Sequence, residues 1–229
     1  MRYLTIIVIA IFWSSTMTAQ QYEAGLYAGG SNFIGDVGKT SFIAPNSPVI
    51  GGILKWNRSS RHSFRLTALF TQLDVSDVKS DDPRRLERGY SFKNSVKEVS
   101  LGLEYTFWEF DMFKARNPAT PYLYTGLTYF NHDDLALDTR RDELVKTGSS
   151  WDVAIPMVIG YKAAFGGRVV LAFEAGARYT LSDNLDGSDP KDADGFEATF
   201  GNNNNNDWYM FTGVTLTFTF GRRPCFCAF

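Results

Sequence analysis

The strongest constraint on the fold is an alternation of apolar and hydroxyl side chains near the end of the chain. From Val214 to Phe220, every second residue is apolar and the residues between them are threonines. A side-chain period of two is typical of a β-strand with one apolar face and one polar face. At the end of a secreted chain, such a strand indicates that the apolar face meets a lipid bilayer.

The beginning of the chain has the pattern of a secretory signal peptide. Arg2 supplies a positive charge, Tyr3 to Trp13 form an apolar stretch, and small or polar residues follow up to a predicted cleavage after Ala19. We therefore expect residues 1–19 to be removed and the mature protein to leave the cytoplasm.

No later apolar run approaches the roughly 18 to 20 residues that a membrane-spanning helix needs, so any membrane crossing is predicted to use strands. Aromatic residues make up 15% of the chain, which is enough for the aromatic girdles of a membrane barrel. A soluble β-sandwich could use the same residues in its core. The net charge of -2 leaves no excess of cations to neutralise phosphates, so nucleic acid is not expected as a partner.

Eight segments have the composition of strands, and the connections between them alternate between short and long. The predicted strands are Tyr22–Gly30, Val49–Trp56, Ser63–Leu73, Lys97–Trp108, Pro121–Phe130, Trp151–Lys162, Arg168–Leu181 and Trp208–Phe220. The short connections are Asn57–His62, Glu109–Thr120 and Ala163–Gly167, and the long polar ones are Ser31–Pro48, Asp74–Val96, Asn131–Ser150 and Ser182–Asp207.

This alternation predicts an all-β protein: an eight-stranded antiparallel up-and-down transmembrane β-barrel over residues 20–220. Outer-membrane barrels have short periplasmic turns and longer outer loops, and an even strand number puts both termini of the mature chain in the periplasm. A sandwich gives no reason for such an alternation. We therefore expect an integral outer-membrane protein in contact with outer-membrane lipid.

The period of two also assigns the faces of the strands. In the fourth strand, Val99, Leu101, Leu103, Tyr105 and Phe107 are predicted to face lipid. The charged residues predicted to point inward are Lys55, Arg65, Glu104, Glu174 and Arg178. Because side chains fill a barrel of eight strands, these charges are expected to form a salt-bridged plug. Catalysis by Glu104 and Glu174 would require an open cleft that this strand number does not provide.

Other motifs favour no enzymatic or metal-dependent function. Gly35–Thr40 resembles a phosphate-binding loop, but Phe33 stands where its first glycine is required, so a surface loop is expected. The acidic stretch Asp183–Asp194 lacks the terminal glutamate of an EF-hand. His62 and His132 are predicted at opposite ends of the barrel, which disfavours a shared metal site. We expect no cofactor and no catalytic activity.

Residues 221–229 form a predicted periplasmic tail that contains both cysteines of the chain, Cys225 and Cys227. The periplasm permits disulfides, and a bond across one intervening residue would be strained and prone to exchange. This favours a disulfide to a partner protein, while a local disulfide and two free thiols remain alternatives.

Four segments together resemble the PorG-like outer-membrane barrels of the Bacteroidetes type IX secretion system, and the resemblance extends over nearly the whole mature chain. The segments are Gly29–Gly38, Lys97–Tyr105, Gly176–Gly187 and Asp207–Cys227. The sequence departs from the family by continuing through Ala228 and Phe229 after the C-x-C pair.

The resemblance implies a barrel that is not the translocation pore. It implies contact with the periplasmic ring of the secretion machine, built from a lipoprotein and a partner subunit, and a role in anchoring that ring. Gliding motility, which uses the same machinery in some lineages, is a further role that the resemblance leaves open.

Basic residues at the predicted periplasmic end could carry this contact. They are Arg58, Arg61, Lys114, Arg116, Arg222 and Arg223, which lie in two turns and the tail. We predict that they meet an acidic surface of the ring and that Cys225 or Cys227 can lock the contact. The alternative is that these residues are ordinary solvated charges of the turns.

Two other functional classes remain for the whole protein. One is a free-standing adhesin or structural barrel that acts through its outer loops, and the other is a lipid-modifying enzyme with His132 as base.

Overall fold

The computed structural model describes residues 21–112, 118–138, 143–182, 185–188 and 206–221. Within these ranges, eight antiparallel strands pair in chain order and the last strand pairs with the first, so the sheet is a closed barrel. The strands are β1 (Gln21–Ile34), β2 (Ser47–Asn57), β3 (His62–Ser76), β4 (Ser91–Thr106), β5 (Ala119–Asp138), β6 (Glu143–Phe165), β7 (Val169–Thr180) and β8 (Trp208–Gly221). The predicted fold is confirmed. The predicted signal peptide and residues 222–229 of the predicted tail lie outside the described residues.

The strands extend further than predicted at one end of the barrel. The connection Asn131–Ser150, expected to be a loop, instead continues β5 to Asp138 and begins β6 at Glu143, with a bulge between Asp134 and Leu135. These extensions carry polar residues on both faces, so they lack the apolar alternation by which the other strands were predicted. We call this end, with the longer connections, the loop end, and the other the turn end.

The outward face is a continuous apolar belt, as the period of two predicts. Leu26, Ile50, Leu101 and Phe173 are each more than 60% exposed, whereas inward residues of the same strands are buried. Water would make so large an exposed apolar surface unfavourable, and a bilayer would not. The belt is the lipid-facing surface of a transmembrane barrel.

Aromatic side chains mark both edges of the belt. Tyr129 and Trp151 stack at 4.7 Å between ring centroids toward the loop end, and Trp56 and Phe64 stack at 5.3 Å toward the turn end. Such girdles hold a barrel at the two interfaces of a bilayer. Across the described ranges, the structure contains no helix of the length and apolarity needed to cross a membrane.

Both ends of the barrel are packed. At the loop end, a hydrophobic cluster includes Val37 from the connection between β1 and β2, Leu185 from the connection between β7 and β8, and Phe92 from the start of β4. Residues 35–40, expected as a surface loop, are therefore partly buried, because Val37 inserts its side chain into this cluster. At the turn end, Phe110 and Met112 pack under the barrel in a smaller apolar cluster.

The connection between β3 and β4 contains a short helix, α1 (Pro83–Arg88). Proline occupies its first position and the Asp82 side chain accepts a hydrogen bond from the Arg84 amide, which caps the start of the helix. Gly89, with φ of 72°, ends it in the left-handed conformation that favours glycine.

Candidate functional site

Charged side chains that point inward from six strands fill the middle of the barrel. Among the described residues of the barrel wall, four carboxylates and four cations are buried there, so their formal charges cancel. They are Glu23, Glu98, Glu104 and Glu174 with Lys55, Arg65, Lys162 and Arg178.

Glu104 and Glu174 share a set of cations in the half of the lumen nearer the turn end. The two Glu104 oxygens lie 2.7 Å from Lys55 Nζ and 2.6 Å from Lys162 Nζ. Arg65 donates two hydrogen bonds to Glu174, at 2.7 and 2.8 Å, and its Nη1 lies 3.7 Å from Glu104. The Tyr122 hydroxyl also donates to Glu174, at 2.5 Å. The bidentate geometry fixes Arg65 more firmly than a single contact would.

A second cluster lies nearer the loop end. Arg178 donates to Glu98 from Nη2 and Nε, at 3.1 and 3.3 Å, and the Tyr209 hydroxyl donates to the other Glu98 oxygen at 2.8 Å. The Arg178 guanidinium lies 4.7 Å from the centre of the Phe211 ring. Buried cations over aromatic faces gain additional electrostatic stabilisation.

These contacts confirm the predicted salt-bridged plug and add residues to it. All five predicted residues lie in the lumen, and the structure adds Glu98, Lys162 and Glu23. Glu98 could have been predicted from the sequence, because it stands two residues before Ser100 and therefore shares the inward face of β4. Both carboxylates that a paired-carboxylate mechanism would use are held by cations inside this plug.

Glycines on the inward face make room for the large lumen side chains. A Cβ at Gly160 would lie 2.4 Å from the Tyr122 ring, and one at Gly176 would lie 2.8 Å from Arg178 Nη1. Both distances are shorter than van der Waals contact. Any larger residue at these two positions would collide with a side chain of the lumen, so glycine is required there.

Buried carboxylates also hold the loop end together. Asp77 accepts hydrogen bonds from the Gly38 amide at 2.7 Å and the Tyr90 amide at 3.2 Å, and it forms an ion pair with Arg88. Asp186 accepts from the amides of Asp36 and Ser188. Burial raises the pKa of Asp186 above its usual value, although the hydrogen bonds from Ser188 oppose that shift.

His132 does not lie at the start of a loop, as predicted, but inside β5 with its ring fully buried. The reason is the extension of β5 beyond its predicted end. Its Nε2 lies 3.0 Å from Asp152, which also accepts the Ser182 hydroxyl at 2.7 Å. A membrane lipid cannot reach this imidazole. His62 begins β3 at the opposite end, and the described residues contain no group of three or more His, Cys, Asp or Glu that could hold a metal ion.

At the turn end, the structure describes two of the predicted contact residues. Arg58 and Arg61 are exposed in the turn between β2 and β3, and Arg61 donates to the Phe107 carbonyl at 3.3 Å. Arg168, which was not predicted as a contact residue, is exposed in the turn between β6 and β7. Lys114, Arg116, Arg222, Arg223, Cys225 and Cys227 lie outside the described residues.

Residues 1–229 match the family model described as a domain of unknown function, DUF6089. The chain belongs to the DUF6089 family. A search of curated proteins gives no sequence match.

Solved structures with a similar chain trace include three small barrels. The N-terminal β-barrel domain of Pseudomonas aeruginosa OprF has 12% identity and a TM-score of 0.49, covering 89% of this chain and 98% of that domain. Ail, the attachment invasion locus protein of Yersinia pestis, crystallised with the heparin analogue sucrose octasulfate, has 7% identity and a TM-score of 0.48, covering 88% and 99%. Neisserial surface protein A has 12% identity and a TM-score of 0.43, covering 88% and 95%.

The strand ladder and the apolar belt establish the architecture of this DUF6089 member independently of those scores. A closed barrel of eight strands with an outward apolar belt and aromatic girdles is an outer-membrane β-barrel. Its lumen is occupied by ion pairs and its two ends are packed. The surfaces left for interaction are the rims and the outer wall.

Proposed function

We propose that this barrel is an outer-membrane component of a type IX secretion system that anchors the periplasmic ring. In this proposal, the turn end and both termini of the mature chain face the periplasm, and the loop end faces outward. The support is the resemblance of four long sequence segments to PorG-like barrels, together with the barrel architecture that such proteins are expected to have.

The observation that carries the proposal is the combination of a filled lumen with exposed arginines at the turn end. Arg65 and Glu104 are fully buried in the plug, and a filled lumen suits a rigid membrane anchor better than a channel. Arg58, Arg61 and Arg168 are exposed at the rim that would face the ring.

The partner expected at this rim is an acidic surface on the ring lipoprotein or its partner subunit. Complementary charge on two surfaces increases the rate of association and fixes orientation. The tail would add Arg222 and Arg223, and Cys225 or Cys227 could form a disulfide across the contact. No cofactor and no catalytic step are part of this proposal.

Reversing the charge of the turn between β2 and β3 tests the anchor. The barrel carrying Arg58→Glu and Arg61→Glu would be purified by a tag from solubilised outer membranes of its native host, and ring subunits would be quantified by mass spectrometry. We expect at least a fivefold lower recovery, since two attractive charges become repulsive. Arg84→Glu, an exposed change on α1 at the opposite end, is the matched control.

Equal ring recovery from the reversed-charge variant and the control would reject a contact through this turn. Parallel purifications without reductant, with the wild type and with Cys225→Ser/Cys227→Ser, test the disulfide. A high-mass species that contains a ring subunit should appear only with the cysteines. Colony spreading of the same strains would show whether gliding depends on the contact.

The second candidate is a free-standing barrel that acts as an adhesin or structural protein through its loop end. It is favoured by Val78 and Leu86, apolar residues of the connection between β3 and β4 that are 70% and 47% exposed. If this candidate is correct, exchange of residues 77–89 for an unrelated polar loop would abolish the adhesive or structural function and leave ring recovery intact.

A further inference from the structure

The second half of the first long connection folds back against the outer wall of the barrel. Asn32 belongs to the outward-facing series of β1, yet it is buried because residues 41–45 cover it. Its side-chain amide donates to the carbonyls of Ser41 and Phe42, at 2.9 and 3.3 Å. Pro45 lies so close to Gly30 that a Cβ at Gly30 would be 2.5 Å from the Pro45 Cβ. We call residues 41–45 the flap.

The flap places apolar side chains at the edge of the lipid-facing belt. Phe42 and Ile43 are 67% and 62% exposed, and the flap that carries them covers the wall next to the last lipid-facing positions of β1. Apolar side chains at this height gain free energy when they enter the interface of a bilayer. The flap therefore places two apolar side chains where the interface of a bilayer would stabilise them.

A cavity of about 230 Å³ lies between the flap, β1 and the end of β3. Phe33 and Val75 supply apolar lining, and Lys39 and Lys79 also line it. Lys39 lies 3.3 Å from Asp81, but both side chains are largely exposed, so this pair is weak. No ion pair within the described ranges holds Lys79. The cavity thus offers positive charge beside an apolar wall.

A second depression, of about 300 Å³, lies lower on the outer wall and shares no lining residue with this cavity. Asn46 borders the cavity, and Pro48, two residues later on β2, borders the depression. Ile50 of β2 and Phe70 of β3 line it. Lys97 of β4 also lines it and pairs with Phe70 across the sheet. The depression is therefore an apolar groove at bilayer depth with one cation at its edge. We call the cavity and the groove together the wall site.

We propose that the wall site binds a phosphorylated, acylated saccharide of the outer leaflet, the chemistry of lipid A. Lys39 and Lys79 would bind a phosphate, an acyl chain would lie in the groove against Ile50 and Phe70, and Lys97 would meet a second anionic group. Ammonium groups bind phosphate as point charges, and apolar wall residues bind acyl chains by burial.

A glycolipid fits the wall site better than a phospholipid because the cations form two groups separated by an apolar surface. One phosphate of a simple phospholipid would reach only one of these groups. The proposal rests on the outward orientation of the loop end given under Proposed function, but not on any contact with a secretion ring.

The test measures lipid bound to the full barrel. The wild type and Lys39→Ala/Lys79→Ala would be purified in detergent, incubated with diphosphorylated lipid A, and the bound lipid counted by native mass spectrometry. Removing two charged contacts to phosphate should weaken binding by about tenfold or more. Lys146→Ala, at the loop end in an ion pair with Asp133, is the control and should bind like the wild type.

Two further arms separate the possible ligands. Dephosphorylated lipid A should bind the wild type at least as weakly as diphosphorylated lipid A binds the double variant, because it loses the contact with Lys97 as well, and Ile50→Ser should weaken binding of the intact lipid. Equal binding by the double variant and the control would overturn the proposal, as would equal binding of phosphatidylglycerol and lipid A, or full competition by inorganic phosphate. Heat-dependent migration of each variant in gels checks that the barrel is folded.

Discussion

Glu104 shows how much a single buried residue contributes to this barrel. It is fully buried between Lys55 and Lys162, with Arg65 close by. A buried ion pair is costly to form from solvated charges, so its net contribution is small when it is intact. Removal of one member is far more costly, because the remaining charges stay buried without a counter-ion.

We predict that Glu104→Gln destabilises the barrel by about 3–5 kcal/mol, the usual cost of breaking a buried ion pair from one side. The measurement is the urea concentration at the midpoint of unfolding from lipid vesicles. Glu87→Gln, an exposed change on α1, is the control and should alter the midpoint little. A midpoint for Glu104→Gln equal to that of the control would mean that water screens the lumen charges.

The lumen residues could be predicted from sequence because a strand alternates its faces without exception over the membrane-spanning part. Arg65 and Glu174 each stand between two apolar residues in the sequence. Because those apolar residues face lipid, the period of two places the two charged side chains inside the barrel. The pairing of Arg65 with Glu174 could not be predicted, since they are 109 residues apart and meet only when the barrel closes. Partners across the lumen depend on the stagger of the strands, which the sequence pattern does not specify.

At the level of elements, Asp77 joins two connections that are far apart in sequence. It binds the Gly38 amide in the connection between β1 and β2, and it also binds Arg88 at the end of α1. Arg85 adds a hydrogen bond to the Gly38 carbonyl at 2.8 Å. The buried Asp77 carboxylate therefore holds α1 against the first connection.

We predict that Asp77→Ala leaves the barrel folded but frees α1 from the rest of the loop end. The two amides and Arg88 would lose a shared acceptor, and each unsatisfied buried donor costs about 1–3 kcal/mol. Trypsin should then cleave after Arg84, Arg85 or Arg88 at least tenfold faster than in the wild type. Asp81→Ala, which removes only an exposed pair with Lys39, should not change the cleavage rate. Equal rates in the two variants would show that Asp77 does not hold this element.

The ends of the strands are the elements that sequence patterns described least well. β5 and β6 extend well beyond their predicted limits because, above the bilayer, their outward residues are polar and no apolar alternation marks them. His132 belongs to the extension of β5, which explains why its contact with Asp152 was missed. The flap was missed for a different reason, since it depends on the amide of Asn32 binding carbonyls 9 and 10 residues later.

For the whole molecule, the lumen has a balanced set of charges and is packed at both ends. Phe110 and Met112 close the turn end, and Val37, Phe92 and Leu185 belong to the cluster that closes the loop end. A water-filled path would have to separate Arg65 from Glu174 and displace Tyr122 as well. Any activity of this barrel is therefore expected to use its rims and outer wall.

We predict that the purified barrel gives no stepwise conductance in a planar lipid bilayer. Phe110→Ala/Met112→Ala should also remain closed, because the ion pairs above that cluster still fill the lumen. The control is a 16-stranded porin inserted under the same conditions, which has an aqueous channel. Discrete conductance steps from the wild type would mean that the charged network opens as a path, and they would count against the anchor as well as the plug. A closed wild type and a closed variant would leave the turn-end rim, the loop end and the wall site as the surfaces through which the barrel acts.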